Sequence, residues 1–179
     1  MRALCERVER RSKGVSVKWK IVIGWVAAIV VIDQLTKIIV DRTMPLHHSI
    51  PLVDGFFNLT YIRNTGAAFG IFSGSHEAFR LPFLILVSVV AIGFIFVMLR
   101  RLRDGETGLV TALAFILGGA IGNLIDRLIY REVIDFLDVY WSNYHWPAFN
   151  VADSFITIGV TITLFYLIRA KGDDPFAAN

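Results

Sequence analysis

Apolar residues along the 179-residue chain gather into four long runs, at about 20–40, 81–99, 108–129 and 148–168. A hydrocarbon core of about 30 Å takes roughly 20 residues of helix to cross, so each run predicts a transmembrane helix. The first run follows a basic stretch, as a secretion signal would. No small-residue cleavage site closes it and further spans follow, so a retained helix is expected. Residues 41–80 have a different pattern. Pro45 and Pro51 interrupt any helix, Asp54-Gly55 marks a turn, and Phe57, Leu59 and Tyr61 alternate with Asn58, Thr60 and Ile62. That alternation predicts a small β-sheet resting on the membrane surface, whose apolar face needs a lipid, a helix or a bound chain to cover it. Gly66 and Gly70 bracket Ala67-Ala68-Phe69, either a close approach of backbone to a ligand or a tight loop. Residues 131–147 read as an outer loop. The expected fold is an all-α membrane protein: four transmembrane helices with a small extracytoplasmic β-sheet between helices 1 and 2. It would form one integral membrane domain over 1–179 with a basic tail at 1–19.

Composition agrees with a membrane as the solvent. A chain with 55% hydrophobic residues and a mean hydropathy of +0.61 has more apolar surface than a soluble domain of this size can bury. The basic residues set an orientation. Arg2, Arg7, Arg10, Arg11, Lys13, Lys18 and Lys20 precede span 1; Arg100, Arg101 and Arg103 separate spans 2 and 3; Arg169 and Lys171 follow span 4. All fall on one side, which the positive-inside rule makes the cytoplasm. The outer segments carry mainly Arg42, Arg63, Arg80 and Arg131. Topology and contact with anionic lipid then explain a pI near 9.2. No aromatic–basic interleaving accompanies the charge, so no nucleic-acid partner is expected. Cys5 is the only cysteine, which excludes an internal disulfide, and with no apolar run before it Met1–Cys5 is not a lipidation box. The tail Lys171–Asn179 is expected to fray.

Candidate chemistry lies in polar clusters within or beside the apolar runs: Asp33-Gln34-Leu35-Thr36-Lys37, Asn64-Thr65-Gly66-Ala67-Ala68-Phe69, Gly122-Asn123-Leu124-Ile125-Asp126-Arg127, Val133-Ile134-Asp135-Phe136 and Phe149-Asn150-Val151-Ala152-Asp153-Ser154. Gly118 and Gly122 have the spacing that lets helices approach closely in lipid. Asn123, Asp126 and Arg127 fall near one helical face, though Asp126 and Arg127 alone could be an edge pair at the headgroups. Asn150 and Asp153 begin a stripe that Thr157 and Thr161 continue, with Pro147 at or before the first turn. A helix N-terminus favours an ionised Asp153; burial and a second carboxylate oppose it. Asp135 lies on the same side of the membrane, and two carboxylates within a few ångströms share a proton, leaving one as base and the other as acid.

Other chemistry is less well supported. Asp33 and Lys37, four apart, read as a self-neutralising pair. His47-His48 lacks a third ligand at a regular spacing, so no metal is expected. Ser73 and Ser154 lack a histidine on a facing helix. Asn58-Leu59-Thr60 fits a glycosylation sequon, a pattern common by chance. A small proton-coupled transporter, or a lipid-binding assembly protein using the outer sheet, are the rival classes. A transporter needs polar residues through to the cytoplasmic face, and 84–99 and 160–168 offer little beyond Ser88, Thr161 and Thr163.

Taken in order, the clusters from Asp33 to Ser154 make the chain resemble bacterial lipoprotein signal peptidase, also called signal peptidase II. The resemblance implies a membrane aspartic endopeptidase that removes the signal peptide of a prolipoprotein on the amino side of its diacylglyceryl-modified cysteine. It implies Asp135 and Asp153 as the catalytic pair. Asn64, Gly66, Asn123, Asp126, Arg127, Asn150, Asp33 and Lys37 would line or support the site. No cofactor or metal is implied. The partners expected are the diacylglyceryl-modified prolipoprotein and membrane lipid, with the enzyme a monomer. It would lie in the bacterial cytoplasmic membrane as a multi-pass protein, both termini cytoplasmic and the active site near the extracytoplasmic face.

Overall fold

The computed structural model describes residues 16–66 and 77–169. Cys5, the basic residues from Arg2 to Lys13, Ala67-Ala68-Phe69, Gly70, Ser73-Gly74 and the tail from Lys171 lie outside the described residues. In chain order the elements are α1 (Val17–Thr43), β1 (Ser49–Val53), β2 (Phe57–Asn64), α2 (Glu77–Arg101), α3 (Thr107–Ile129), β3 (Val133–Trp141), β4 (Tyr144–His145) and α4 (Val151–Arg169). All four helices are long and apolar enough to cross a membrane. Large apolar side chains cover their outer surfaces, among them Val31, Ile39, Phe94, Leu128 and Leu164. Such continuous exposed apolar surface is stable only where hydrocarbon replaces water.

Helix α3 is the centre of the bundle and packs against α1, α2 and α4. Lipid gives helices no hydrophobic incentive to associate, so close backbone approach must supply dispersion contacts. The glycines allow it. A Cβ on Gly118 would sit 3.0 Å from Cβ of Ile29 on α1, and one on Gly122 would sit 2.6 Å from Oδ2 of Asp33. On the other flank, a Cβ on Gly159 of α4 would meet the Ala112 carbonyl of α3 at 2.6 Å. At the end where α2 turns into α3, Val22, Leu99, Leu102, Leu109, Val110 and Leu113 form an apolar core. The Lys18 ammonium closes that end by donating to the Leu102 carbonyl at 2.7 Å.

The strands form one antiparallel sheet in the order β1-β2-β3-β4. Its first half is the predicted one; its second half corrects the reading of 131–147 as a loop. Val133, Ile134, Asp135 and Phe136 are all buried, so β3 has no polar-apolar alternation at its start to announce a strand. Its partner β2 is some 70 residues earlier in sequence, with Asn64 opposite Val133 and Ile62 opposite Asp135. Between Leu59 and Ile62 the register shifts; this bulge leaves successive residues Thr60 and Tyr61 both buried. The cover for the sheet's apolar face is the end of α1: Val40 and Met44 pack with Tyr61, Ile134 and Phe136. Arg63 locks this junction. Its Nη2 meets Asp41 Oδ1 at 2.6 Å, its Nε donates to the Tyr61 hydroxyl at 2.7 Å, and Tyr61 in turn donates to Asp41.

Helix α4 starts at Val151, later than the apolar run suggests. The backbone just before it is occupied elsewhere: Leu137 N–H donates to the Phe149 carbonyl at 2.8 Å and Phe149 N–H returns the bond at 3.0 Å. Chain tied to β3 in this way cannot join a helix, and the result is to set Asp153 in the first turn of α4.

Candidate active site

Asn150 precedes the first helical residue of α4 and Asp153 stands three positions on, the arrangement of a capping box. Asp153 N–H donates to Asn150 Oδ1 at 2.9 Å, and Asn150 N–H reaches back to Asp153 Oδ2 at 3.3 Å. Bonds within four successive residues thus orient both side chains. The Asn150 amide is left free to point outward, and its Nδ2 donates to Asp135 Oδ1 at 2.8 Å. Asp135 projects from β3, and its other oxygen accepts from Asn64 Nδ2 on the paired strand β2 at 2.9 Å. Asn64 is itself held by Gly66 N–H, which donates to its Oδ1 at 3.0 Å. The second oxygen of Asp153 accepts from Asn123 Nδ2 of α3 at 2.7 Å. Among the described residues each carboxylate oxygen therefore has one donor, and all come from asparagine side chains or backbone.

Behind this pair lies a buried ionic cluster. Lys37 of α1, 1% exposed, meets Asp33 Oδ2 at 2.8 Å and Asp126 Oδ2 of α3 at 2.9 Å. It also donates to Asn123 Oδ1 at 3.0 Å, which fixes the Asn123 amide with its NH2 toward Asp153. Asp33 Oδ1 accepts Ala152 N–H of α4 at 2.9 Å, satisfying an orphan donor of that helix from a different helix. Asp126 Oδ2 accepts Ile134 N–H of β3 at 3.2 Å. One cluster thus ties α1, α3, α4 and β3 together directly behind the two aspartates. Lone charges would be prohibitive at this depth; paired and fully hydrogen-bonded they persist.

This geometry revises several sequence expectations. Asp33 and Lys37 are not a self-contained pair, because Asp126 completes them. The alternative of an edge pair falls away, since Asp126 turns to Lys37 while Arg127 lines the cavity with Asp135 and Asp153. Adjacent helical residues point about 100° apart, so this divergence is the ordinary outcome. Thr157 continues the stripe from Asp153 along the cavity wall, and Thr161 lies beyond that wall. Both are exposed and donate to carbonyls one turn back, while the buried side of α4 is Ala152, Gly159 and Thr163. Gln34 has a role that the sequence left unassigned. Its amide donates to Asp126 Oδ1 at 2.8 Å and to Asp33 Oδ2 at 3.2 Å. A polar amide inside an apolar run was the signal for it.

The aspartates open onto a cavity of about 570 Å3. Its polar wall is Asn64, Gly66, Asn123, Arg127, Asp135, Asp153, Ser154 and Thr157; its apolar wall includes Val133, Trp146, Phe149, Ile156 and Ile158. Burial, then the neighbouring charge of Asp153, push the Asp135 carboxyl up to about 7, against the opposing pull of the Asn64 and Asn150 amides. Near neutral pH the pair can therefore hold one proton. A carboxylate and a carboxylic acid facing one sheltered cavity can deprotonate a water and polarise a carbonyl. Among the described residues no group of three or more His, Cys, Asp or Glu is arranged to hold a metal ion.

Comparisons with known proteins agree in sequence and in fold. The family profile Peptidase_A8, described as signal peptidase (SPase) II, matches residues 25–169. A lipoprotein signal peptidase of Geobacter sulfurreducens is 57% identical over 141 residues, 79% of this chain and 87% of that protein. A lipoprotein signal peptidase of Listeria monocytogenes is 41% identical over 140 residues, 78% of this chain and 88% of that protein. Among solved structures, a bacterial membrane enzyme determined by the in meso method at 2.3 Å superposes with a TM-score of 0.75 at 31% identity, covering 86% of this chain and 90% of that one.

Proposed function

The chain belongs to the signal peptidase II family, aspartic endopeptidases of the bacterial membrane that remove signal peptides from prolipoproteins, and from that premise we propose that Asp135 and Asp153 are its catalytic dyad. One observation carries the assignment: the two carboxyl groups share a cavity, and each oxygen is held by a hydrogen-bond donor that leaves the group aimed but unneutralised. No cation in the structure pairs with either of them among the described residues.

Asp153 stands in the first turn of α4, where the helix dipole favours a negative charge. Asp135, raised to about 7, keeps the proton. Asp153 then takes a proton from a water lying between the pair as the water oxygen attacks the scissile carbonyl. Asp135 donates its proton to the carbonyl oxygen, giving a neutral tetrahedral intermediate. Collapse returns that hydroxyl proton to Asp135 while Asp153 passes its proton to the departing cysteine nitrogen. The carbon–nitrogen bond breaks and the dyad is restored to its starting state. Arg127, in the wall of the cavity, supplies positive charge that stabilises the partial negative charge on the carbonyl oxygen until its protonation by Asp135 is complete.

The substrate is a prolipoprotein cut on the amino side of its diacylglyceryl-modified cysteine. It lies extended beside β2 and β3, with its lipid chains remaining in the bilayer against the apolar wall of the cavity. The three basic clusters support both termini in the cytoplasm and the cavity at the extracytoplasmic face. One chain supplies every residue that this mechanism uses, so the proposed chemistry needs no second copy. Incubating purified protein with a diacylated prolipoprotein and with its unmodified precursor tests the reading. Cleavage of the diacylated form alone is the expected result, and equal cleavage of both removes the lipid from the recognition.

A further inference from the structure

A second cavity, of about 490 Å3, lies at the opposite end of the bundle from the aspartates. The start of α3 and the preceding turn line it with Glu106, Thr107 and Leu109, and the end of α4 contributes Phe165, Tyr166 and Arg169. Its walls combine opposite charges with apolar surface, at the depth where helices leave the hydrocarbon. Glu106 Oε2 is buried there and has no hydrogen-bond partner among the described residues. A buried carboxylate oxygen without a donor is costly, and such groups are nearly always satisfied by something. Among the described residues the contact Arg169 makes is with a ring face, its guanidinium carbon lying 4.8 Å from the centre of Phe165. That contact leaves its N–H groups to other acceptors.

The occupant that best matches these walls brings a cationic N–H donor, which both bonds Glu106 and offsets its charge as a neutral hydroxyl would not, an anionic oxygen for Arg169, and an apolar portion to lie along Leu109 and Phe165. A phosphate alone would meet the carboxylate with like charge. A quaternary ammonium has charge but no N–H to donate. We propose that this cavity binds the head group of a membrane phospholipid carrying a primary ammonium, of the phosphatidylethanolamine class, with Glu106 accepting from the ammonium and Arg169 holding the phosphodiester. The Glu106 oxygen and the Arg169 donors, which have no hydrogen-bond partner among the described residues, are then both satisfied, and the lipid's chains continue down the outer surface of α3 and α4. Basic residues at a membrane boundary commonly hold phosphates; the carboxylate is what selects the amine.

The test is lipid retention by the full-length protein in detergent, counted by native mass spectrometry. Phosphatidylethanolamine, its N,N-dimethyl form and phosphatidylcholine of identical chains are offered to the wild type. Retention should fall as N–H donors are replaced by methyl groups, with phosphatidylcholine held roughly tenfold more weakly, as expected for one charge-assisted hydrogen bond. Glu106→Gln should bring phosphatidylethanolamine down to the phosphatidylcholine level, and Arg169→Gln should weaken all three. Both variants should still cleave prolipoprotein, since neither residue touches the dyad. Equal retention of all three lipids by the wild type overturns the proposal, as does amine selectivity that survives in Glu106→Gln. The wild-type lipid series decides the matter even if a variant fails to fold.

Discussion

Replacing Lys37 with methionine removes a charge while keeping the length of the side chain, and its cost can be worked from the structure. Lys37 meets Asp33 at 2.8 Å and Asp126 at 2.9 Å, and donates to Asn123 at 3.0 Å. Both aspartates are fully buried, so Lys37→Met strands two buried carboxylates without their cation. Breaking a buried pair from one side costs about 3–5 kcal/mol, because the abandoned charge remains. At roughly 2–4 °C per kcal/mol for a chain of this size, the melting temperature should fall by about 6–20 °C. Function should suffer as well. Asn123 Oδ1 would keep only Asn150 Nδ2, at 3.2 Å, so its amide loses the anchor that aims it at Asp153. A displacement near 1 Å at a catalytic group can cost on the order of a hundredfold in rate. The assay is thermal unfolding in detergent beside cleavage of a diacylated prolipoprotein. Adding Asp33→Asn to Lys37→Met should recover part of the stability, since one stranded charge is removed and the two sites are directly coupled. A Lys37→Met protein that melts and cleaves like the wild type would refute the claim that this cluster supports the dyad.

The proposed dyad makes its own demands. Asp135→Asn and Asp153→Asn should each lose nearly all turnover, and the double variant should be hardly worse than either, because groups acting as one unit are strongly non-additive; Asp126→Asn, which touches Lys37 and Gln34 but not the cavity, should retain more activity than Asp135→Asn. The pH dependence has a definite sign. Between an ordinary value of 3.8 and about 7 the folded state holds a proton on Asp135 that the unfolded chain releases. Stability from this group is therefore complete below 3.8 and lost as pH rises through about 7, and Asp135→Asn should flatten that slope. kcat/KM should fall over the same rise, since loss of the shared proton leaves no acid for the carbonyl; a profile flat from pH 6 to about 9 would contradict Asp135 as that acid. Reporter fusions at residue 140 and at residue 169 should label opposite compartments; a shared compartment would overturn the proposed orientation.

Hydropathy was enough to identify the membrane, because about 20 consecutive apolar residues have no other stable use. Regular alternation marked β2, and the four-residue spacing of Gly118 and Gly122 marked the close face of α3. The candidate site residues were legible as polar clusters where polarity is expensive, and their resemblance to signal peptidase II singled out Asp135 and Asp153. Sequence did not reveal β3, since a strand start buried on both sides carries no period of two and its partner lies some 70 residues away. Nor could it reveal where α4 begins, because the hydrogen bonds that hold Phe149 out of the helix come from Leu137. The partners of Lys37 were equally hidden. Helical spacing offered Asp33 as a sufficient counter-ion, and only the packing of α1 against α3 at Gly122 brings Asp126 and Asn123 within reach. Local periodicity records which side of an element is apolar. Which buried charge meets which depends on how the elements pack, and in this protein that choice aims the aspartates.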